Sequence, residues 1–403
     1  MKRRHMLSCA VAVALAGGAS TTALADDTLR IGVMNDMSGL YADLSGPGSV
    51  VAAEMAIEDH GGTVMGKEVE ILEADHQNRE DLASTIAREW IDDDGVDAIF
   101  DVPNSGAALA VQEITRDREK YFFVSGAATT QLTNEQCSPT GVHWTYDTHA
   151  LAQGTGKAIV DEGGDSWYFL TADYAFGHSL EEQVANVVRE AGGEVMGRSR
   201  HPLDEQDFSS YLLSAQASGA EIIGLANAGT DATNSIRQAE EFGIVAAGQA
   251  LAGLLLFITD VHGIGLEASQ DLLLTTGFYW DRTDETRAFA ERFNERADQM
   301  PTMVHAGVYS SALHFFEALE EVGDVENTAD VMQHMRDNPV NDNVLTSNGQ
   351  VREDGRMVHD MYLVEVMAPE DSAGDWDYYD VVATIPGDDA YQAIEDSTCD
   401  LVN

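Results

Sequence analysis

Positive charge is scarce in this chain. Its 403 residues hold 22 Lys and Arg against 70 Asp and Glu, a formal net charge of −48. A surface so acidic repels nucleic acid and anionic membrane, which excludes both as partners. High net charge is also a mark of disordered chains, but here 44% of residues are apolar and fall in regular periodic segments that can bury a core. What remains is a folded protein with a solvated acidic surface suited to high salt, where self-repulsion is screened. Cysteine is scarcer still, with three in all. Almost no apolar segment precedes Cys9, which argues against lipid attachment there. Cys137 and Cys399 either pair, tying the C-terminus to the first half of the chain, or stay as two buried thiols; spacing alone leaves both open.

Catalytic signatures are missing as well. Ser45-Gly46-Pro47-Gly48 lacks the lysine of a phosphate-binding loop, and no GxGxxG opens a helix, so nucleotide binding is not expected. No GxSxG nucleophile elbow occurs. The histidines are scattered without HExxH or CxxC spacing, and neither a metal nor a cofactor is expected. Acidic pairs such as Glu181-Glu182 read as solvated faces at this composition.

Long apolar runs are also absent. The longest near the start, Met6–Ala19, follows Lys2, Arg3 and Arg4 and precedes Ala23-Leu24-Ala25. It is too short for a membrane span and reads as an export signal cleaved after Ala25. The expectation is an exported, periplasmic protein.

From Leu29 onward, strand and helix alternate. Strands are expected at Leu29–Met34, Val69–Asp75, Ala98–Phe100, Tyr121–Val124 and Val142–Asp147, then at Ser166–Leu170, Gly193–Gly197, Glu221–Ala226 and Leu272–Phe278. Helices are expected between them, including Val50–Asp59, Leu82–Ile91, Leu151–Asp161, Leu180–Ala191, Phe208–Ala217 and Thr233–Phe242. Three more helices follow, and the chain closes on strands Met361–Met367 and Tyr378–Ile385. Such alternation means parallel sheets covered by helices. Two series joined by extended crossings predict two α/β lobes with a hinge.

The stretch Phe100–Thr130 carries the sharpest functional expectation. The turn Pro103-Asn104-Ser105-Gly106 places a hydroxyl and backbone N–H groups at a helix start, where orphan donors and the helix dipole favour an anion. The small-residue loop Ser125–Thr129 follows the neighbouring strand and opens on the same sheet edge, where α/β sheets bind ligands. A carboxylate cradle is one reading, and an ordinary capped turn the other. Aromatic residues Trp144, Tyr146, Tyr174 and Phe176 sit at strand ends or crossings, where a cleft would be lined.

The mature chain resembles the periplasmic solute-binding proteins of the branched-chain amino acid (Leu/Ile/Val-binding) type, the type I binding fold of ABC importers. The segments that carry this are LRIGVMNDMSG, EMAIEDHGG, KEVEILEADHQN, AREWIDDDGVDAI, VSGAATTQLT, TADYAFGHSLEEQV, DFSSYLLSAQASGAEIIGLANAG and IRQAEEFGI, in that order. The resemblance implies two Rossmann-like lobes with three hinge crossings, residues 27–146 plus 277–356 and residues 147–276 plus 357–403. It also implies a monomer that closes on a small ligand and delivers it to permease subunits in the membrane, without catalysis. Ser105, Ala127 and Thr129 match the family's carboxylate-binding positions, and Phe176 matches its second-lobe aromatic. Asn104, Ala128, Tyr41 and Asn227 complete the candidate contacts. One departure stands out. Where the amino acid binders place a Glu for the ligand ammonium, this chain has Gly253-Leu254-Leu255-Leu256-Phe257. Unless Asp231 substitutes, the ligand is expected to be an apolar or aromatic carboxylic acid packed by Trp144, Tyr174, Phe176, Leu255 and Phe257. A sensory module docking to a receptor is the alternative, and a secreted hydrolase a weaker one.

Overall fold

The alternating pattern resolves into two parallel sheets in a computed structural model that describes residues 28–402. The expected export signal lies outside the described residues. Six strands, β1 (Thr28–Asn35), β2 (Thr63–Val64), β3 (Lys67–Asp75), β4 (Ala98–Asp101), β5 (Tyr121–Val124) and β6 (Gly141–His143), form the first sheet in the order β2-β3-β1-β4-β5-β6. Only the β2–β3 pair is antiparallel. Every residue of β4 and β5 is buried, as strands covered by helices on both faces must be. The crossover helices α2 (Glu80–Glu89) and α3 (Ser105–Asp117) cover one face, Phe315 of the helix Met303–Val322 packs on Phe100, Tyr121 and Phe123 of the other, and α1 (Gly46–His60) lies over β1 and β3.

The second sheet holds β7 (Ser166–Ala172), β8 (Glu194–His201), β9 (Ile222–Ala226) and β10 (Ala250–Gly253) in the order β10-β9-β7-β8, all parallel. Strand β11 (Leu273–Thr276) follows, then the short hairpin β12 (Gln350–Val351) and β13 (Met357–Val358). β14 (Met361–Val366) and β15 (Tyr379–Ile385) then join β11 in an antiparallel three-stranded sheet. The chain returns from β14 to β15 with no helix to carry it across the sheet, so the pairing is antiparallel.

Local differences from the expected elements have identifiable causes. β10 is a four-residue edge strand, Ala-Leu-Ala-Gly, running straight into Leu254–Phe257, so it is too short to show the alternation by which a strand is recognised. The expected strand Val142–Asp147 stops at His143. Asp147 instead caps a helical segment that starts at Thr148, its carboxylate accepting the Ala150 N–H at 2.8 Å. The helix expected from Leu180 begins at Ala175.

Sheet order places two crevices. β1 lies between β3 and β4, and β7 lies between β8 and β9. Successive connections therefore leave β1 and β7 in opposite directions, which opens a gap at the carboxyl ends of β1/β4 and of β7/β9.

Three passages between the sheets converge on one carbonyl. The Tyr391 hydroxyl donates to the Thr145 carbonyl at 2.8 Å, and His359 Nε2 lies 2.6 Å from the same oxygen. Gly277, on the third passage, approaches so closely that a Cβ would sit 3.1 Å from the His359 ring. Beside them Arg356 and Asp147 form a buried ion pair at 3.4 Å. Burial pushes the Asp147 carboxyl up, but the Arg356 guanidinium, His143, His149 and the Ala150 N–H together hold the pKa below the usual range. The C-terminal tail packs on the first sheet's side. Cys137 and Cys399 are disulfide-bonded, and Asn134 Nδ2 donates to Gln392 Oε1 at 3.0 Å. Of the two states left open by the sequence, the pair is the one observed.

The bridge spans 262 residues, so in the chain-entropy picture it restricts the unfolded state strongly. A Cys137→Ser, Cys399→Ser double variant should lose about 2–5 kcal/mol of unfolding free energy. Urea melts of both proteins under oxidising conditions measure this, and coincident melts would show that the tail is held by its other contacts.

Candidate functional site

The crevice at β4 is built on strained backbone. Asp101 and Val102 adopt φ values of 74° and 58°, the left-handed region that costs a non-glycine residue about 1–3 kcal/mol and a β-branched one most of all. The reversal turns the chain into Pro103 and starts α3. Asn104 caps that helix, its side-chain oxygen accepting the Ala107 N–H at 3.0 Å. Ser105 Oγ accepts the N–H groups of Ala128 and Thr129, each at 3.3 Å. The Ala127 carbonyl faces His143 Nε2 at 2.7 Å. Ser105, Ala127 and Thr129, the three residues of the expected cradle, are therefore adjacent, with the serine hydroxyl stitching the helix start to the loop after β5.

Asp101 lies behind this junction, fully buried. Its carboxylate accepts the hydroxyls of Ser45 (2.9 Å) and Ser49 (2.5 Å) from the start of α1. It presses on Gly126 so closely that a Cβ there would sit 2.7 Å from Oδ1. Burial raises its pKa to about 6 against the lowering effect of the hydroxyls. One carboxylate thus joins α1, the end of β4 and the loop after β5.

Both crevices open on one narrow cavity of about 10 Å³. The first sheet's side supplies Tyr41, Leu44, Pro103, Gly126 and Tyr146; the second supplies Tyr174, Phe176, Ala228, Leu255 and Phe257. Pro103 and Gly126 adjoin the cradle in sequence and form the wall next to it. Tyr146 donates its hydroxyl to the Gly126 carbonyl at 2.6 Å, and its ring meets Phe257 edge-on at 6.2 Å. The Tyr41 and Tyr174 hydroxyls pair at 2.5 Å. Among the described residues, the wall carries no charged side chain.

Six candidates from the sequence, Tyr41, Tyr146, Tyr174, Phe176, Leu255 and Phe257, line this cavity. Three do not. Trp144 is buried on the far side of its crossing, where its indole N–H donates to Ser310 Oγ at 3.0 Å and its ring abuts Phe123. The residues alternate across the extended segment, so Tyr146 faces the cavity and Trp144 the core. Asn227 turns its amide to His201 and Ser235. Asp231 accepts the backbone N–H groups of Asp204 (3.2 Å) and Glu205 (2.9 Å), and burial raises its pKa to about 7. It holds the turn after β8 and is not part of the wall. Sequence reasoning missed Leu44, Pro103, Gly126, Ala228 and Asp101. Pro103 and Gly126 flank recognised cradle residues, and Asp101 is an acid at the end of a wholly apolar strand, which was a usable signal.

The sequence pattern of the family described as Periplasmic binding protein matches residues 28–374. This chain belongs to that family. A crystal structure of a periplasmic binding protein from Burkholderia mallei is 46% identical, spans 93% of this chain and 99% of that one, and superposes with a TM-score of 0.91. A branched-chain amino acid ABC transporter periplasmic ligand-binding protein from Burkholderia xenovorans is 40% identical over 93% of this chain and all of that one, TM-score 0.82. The Leu/Ile/Val-binding protein homolog 6 of Brucella melitensis is 24% identical over 77% of this chain and 80% of its own. A solute-binding protein from R. palustris in complex with benzoate, 18% identical over 93% of this chain and all of that one, shares the fold with a TM-score of 0.81. This binding protein is thus an extracytoplasmic substrate-binding component of ABC importers, in a family that captures small molecules for permeases and is not an enzyme class.

Asp101 makes a pH dependence expected. Its carboxyl titrates near 6 when folded against about 3.9 when unfolded, so the stabilisation tied to its proton is complete below about pH 4 and is lost as the pH rises through 6. Asp101→Asn cannot ionise and should gain on the order of 2 kcal/mol over the wild type between pH 4 and pH 7. Urea titrations of both proteins at the two pH values test this. A difference that stays constant would mean the buried carboxyl titrates normally.

Proposed function

We propose that this binding protein captures a small carboxylic acid with an apolar or aromatic body and closes on it for import. The observation that carries the reading is the uncharged cavity wall. An amino acid ligand would bring an ammonium group against Leu255 and Phe257, and leaving it without an anionic partner costs several kcal/mol. Asp231, the one acid considered as a substitute, is engaged by the backbone of Asp204 and Glu205. A carboxylate, by contrast, would take over the Ala128 and Thr129 N–H groups that Ser105 Oγ now accepts, at a helix start that favours an anion. Tyr146, Tyr174, Phe176 and Phe257 would pack around a ring. Structural relatives include both a branched-chain amino acid binder and a benzoate complex, so the wall chemistry, not the kinship, supports the choice.

Closure would rotate lobes made of residues 27–146 plus 277–356 and residues 147–276 plus 357–403 about the passages at Thr145, Gly277 and His359, with the tail pinned back to the first lobe by its disulfide. The protein would act as a monomer, exported after cleavage at Ala25, on a cognate permease.

A thermal-shift screen in molar salt tests the ligand class. A ligand at a hundred times its dissociation constant stabilises by about 2.7 kcal/mol. Benzoate- or cinnamate-type acids are expected to raise the melting temperature while leucine and valine leave it unchanged. The opposite pattern would require an anionic partner for the ammonium and would overturn the reading.

A further inference from the structure

The two sides of the cavity touch at a seam with its own construction. On the first side, the loop after β1 is held rigid by Asp36, whose carboxylate accepts the N–H groups of Gly39 (2.7 Å) and Tyr41 (2.9 Å) and an Asn78 amide N–H (2.5 Å). The loop therefore presents the Leu40 carbonyl and the Tyr41 hydroxyl in fixed positions. On the second side, Gly229 and Thr230 open the helix Gly229–Glu241, and Tyr174 precedes the helix Ala175–Glu190. The Thr230 N–H reaches the Leu40 carbonyl at 3.4 Å, and the two tyrosine hydroxyls meet at 2.5 Å. Gly229 has φ +57°, and a Cβ there would lie 2.2 Å from the Leu40 carbonyl oxygen. Glycine is required twice over: for the left-handed backbone and for the close approach.

We infer that Leu40–Tyr41, Tyr174 and Gly229–Thr230 form a latch that holds the closed form and sets how fast ligand leaves. The reasons are chemical. The Tyr41 hydroxyl is deeply buried and its hydrogen-bond partner is on the opposite side, 133 residues away in sequence. Parting the sides breaks this bond and the Thr230 bond together. Tyr41 and Tyr174 also line the cavity, so the contact that closes the seam is part of the surface a ligand touches. Residues that touch ligand and seal the seam at once couple occupancy to closure.

The inference rests on the cavity being the ligand site, and its test separates the two ideas. Benzoate is the probe for release. Tyr41→Phe and Tyr174→Phe each keep the ring and leave one buried hydroxyl unpaired, so each should speed benzoate release by roughly tenfold. The double variant should be no worse than either single one, because the two hydroxyls act on each other. Gly229→Ala wedges the seam from the backbone side and should shift the protein to the larger radius of gyration of an open form in X-ray scattering. Amide exchange at Thr230 in the ligand-free protein is the second arm, expected to quicken in all three single variants. Unchanged release and unchanged exchange would overturn the latch, as would additive effects of the two hydroxyls. A wild-type protein that ignores benzoate, yet shows the exchange differences, overturns the ligand reading and leaves the latch standing.

Discussion

The junction between the two sheets is organised around a single carbonyl group. Thr145 stands where the chain first leaves the first sheet, and its oxygen is met by His359 from the last passage and by Tyr391 from the tail, with Gly277 packed against the same ring. Three strands of chain that must flex together are thereby tied at one point. The buried Arg356–Asp147 pair beside it fixes orientation, since neither charge can leave its partner without an uncompensated desolvation cost.

Around that pivot, polar groups are sorted by how far they stand from the cavity. The wall itself is apolar or phenolic. Charge begins one layer behind it, where Asp101 binds the serine hydroxyls of α1 and Asp231 holds the Asp204–Glu205 turn. Each buried carboxylate joins segments that no single helix or strand connects. Burial raises the pKa of both, a cost borne for position. The strained pair Asp101–Val102 belongs to the same design. Backbone held in the left-handed region persists only where its surroundings over-determine it, and here hydroxyls, Gly126 and Pro103 do so.

Much of this was legible in the sequence. β5 announces itself as Tyr-Phe-Phe-Val between small residues, and the helix-opening Asn104-Ser105 needs only capping chemistry to be placed. The cradle followed from those two elements because consecutive strands of a parallel sheet open on one edge. β10 was hidden, since four residues, three of them small, are too few to show a period. Trp144 was misplaced because an extended crossing alternates its side chains, and sequence does not say which parity faces the cleft. Asp231 was offered to an ammonium, whereas two backbone N–H groups from a turn some 26 residues earlier claim it.

The sequence by itself determined the class of fold, the order of its elements, the capped helix start at Asn104-Ser105 and the apolar run Leu254–Phe257, because propensity, periodicity and charge are local or compositional quantities. Tertiary structure alone decided that Cys137 reaches Cys399, that Asp101 joins three segments, that Asp231 is taken, and that Tyr41 meets Tyr174. Each of these is a contact between residues far apart in the chain. Such a contact exists only when the packing of two sheets and the convergence of three passages bring its partners to bonding distance.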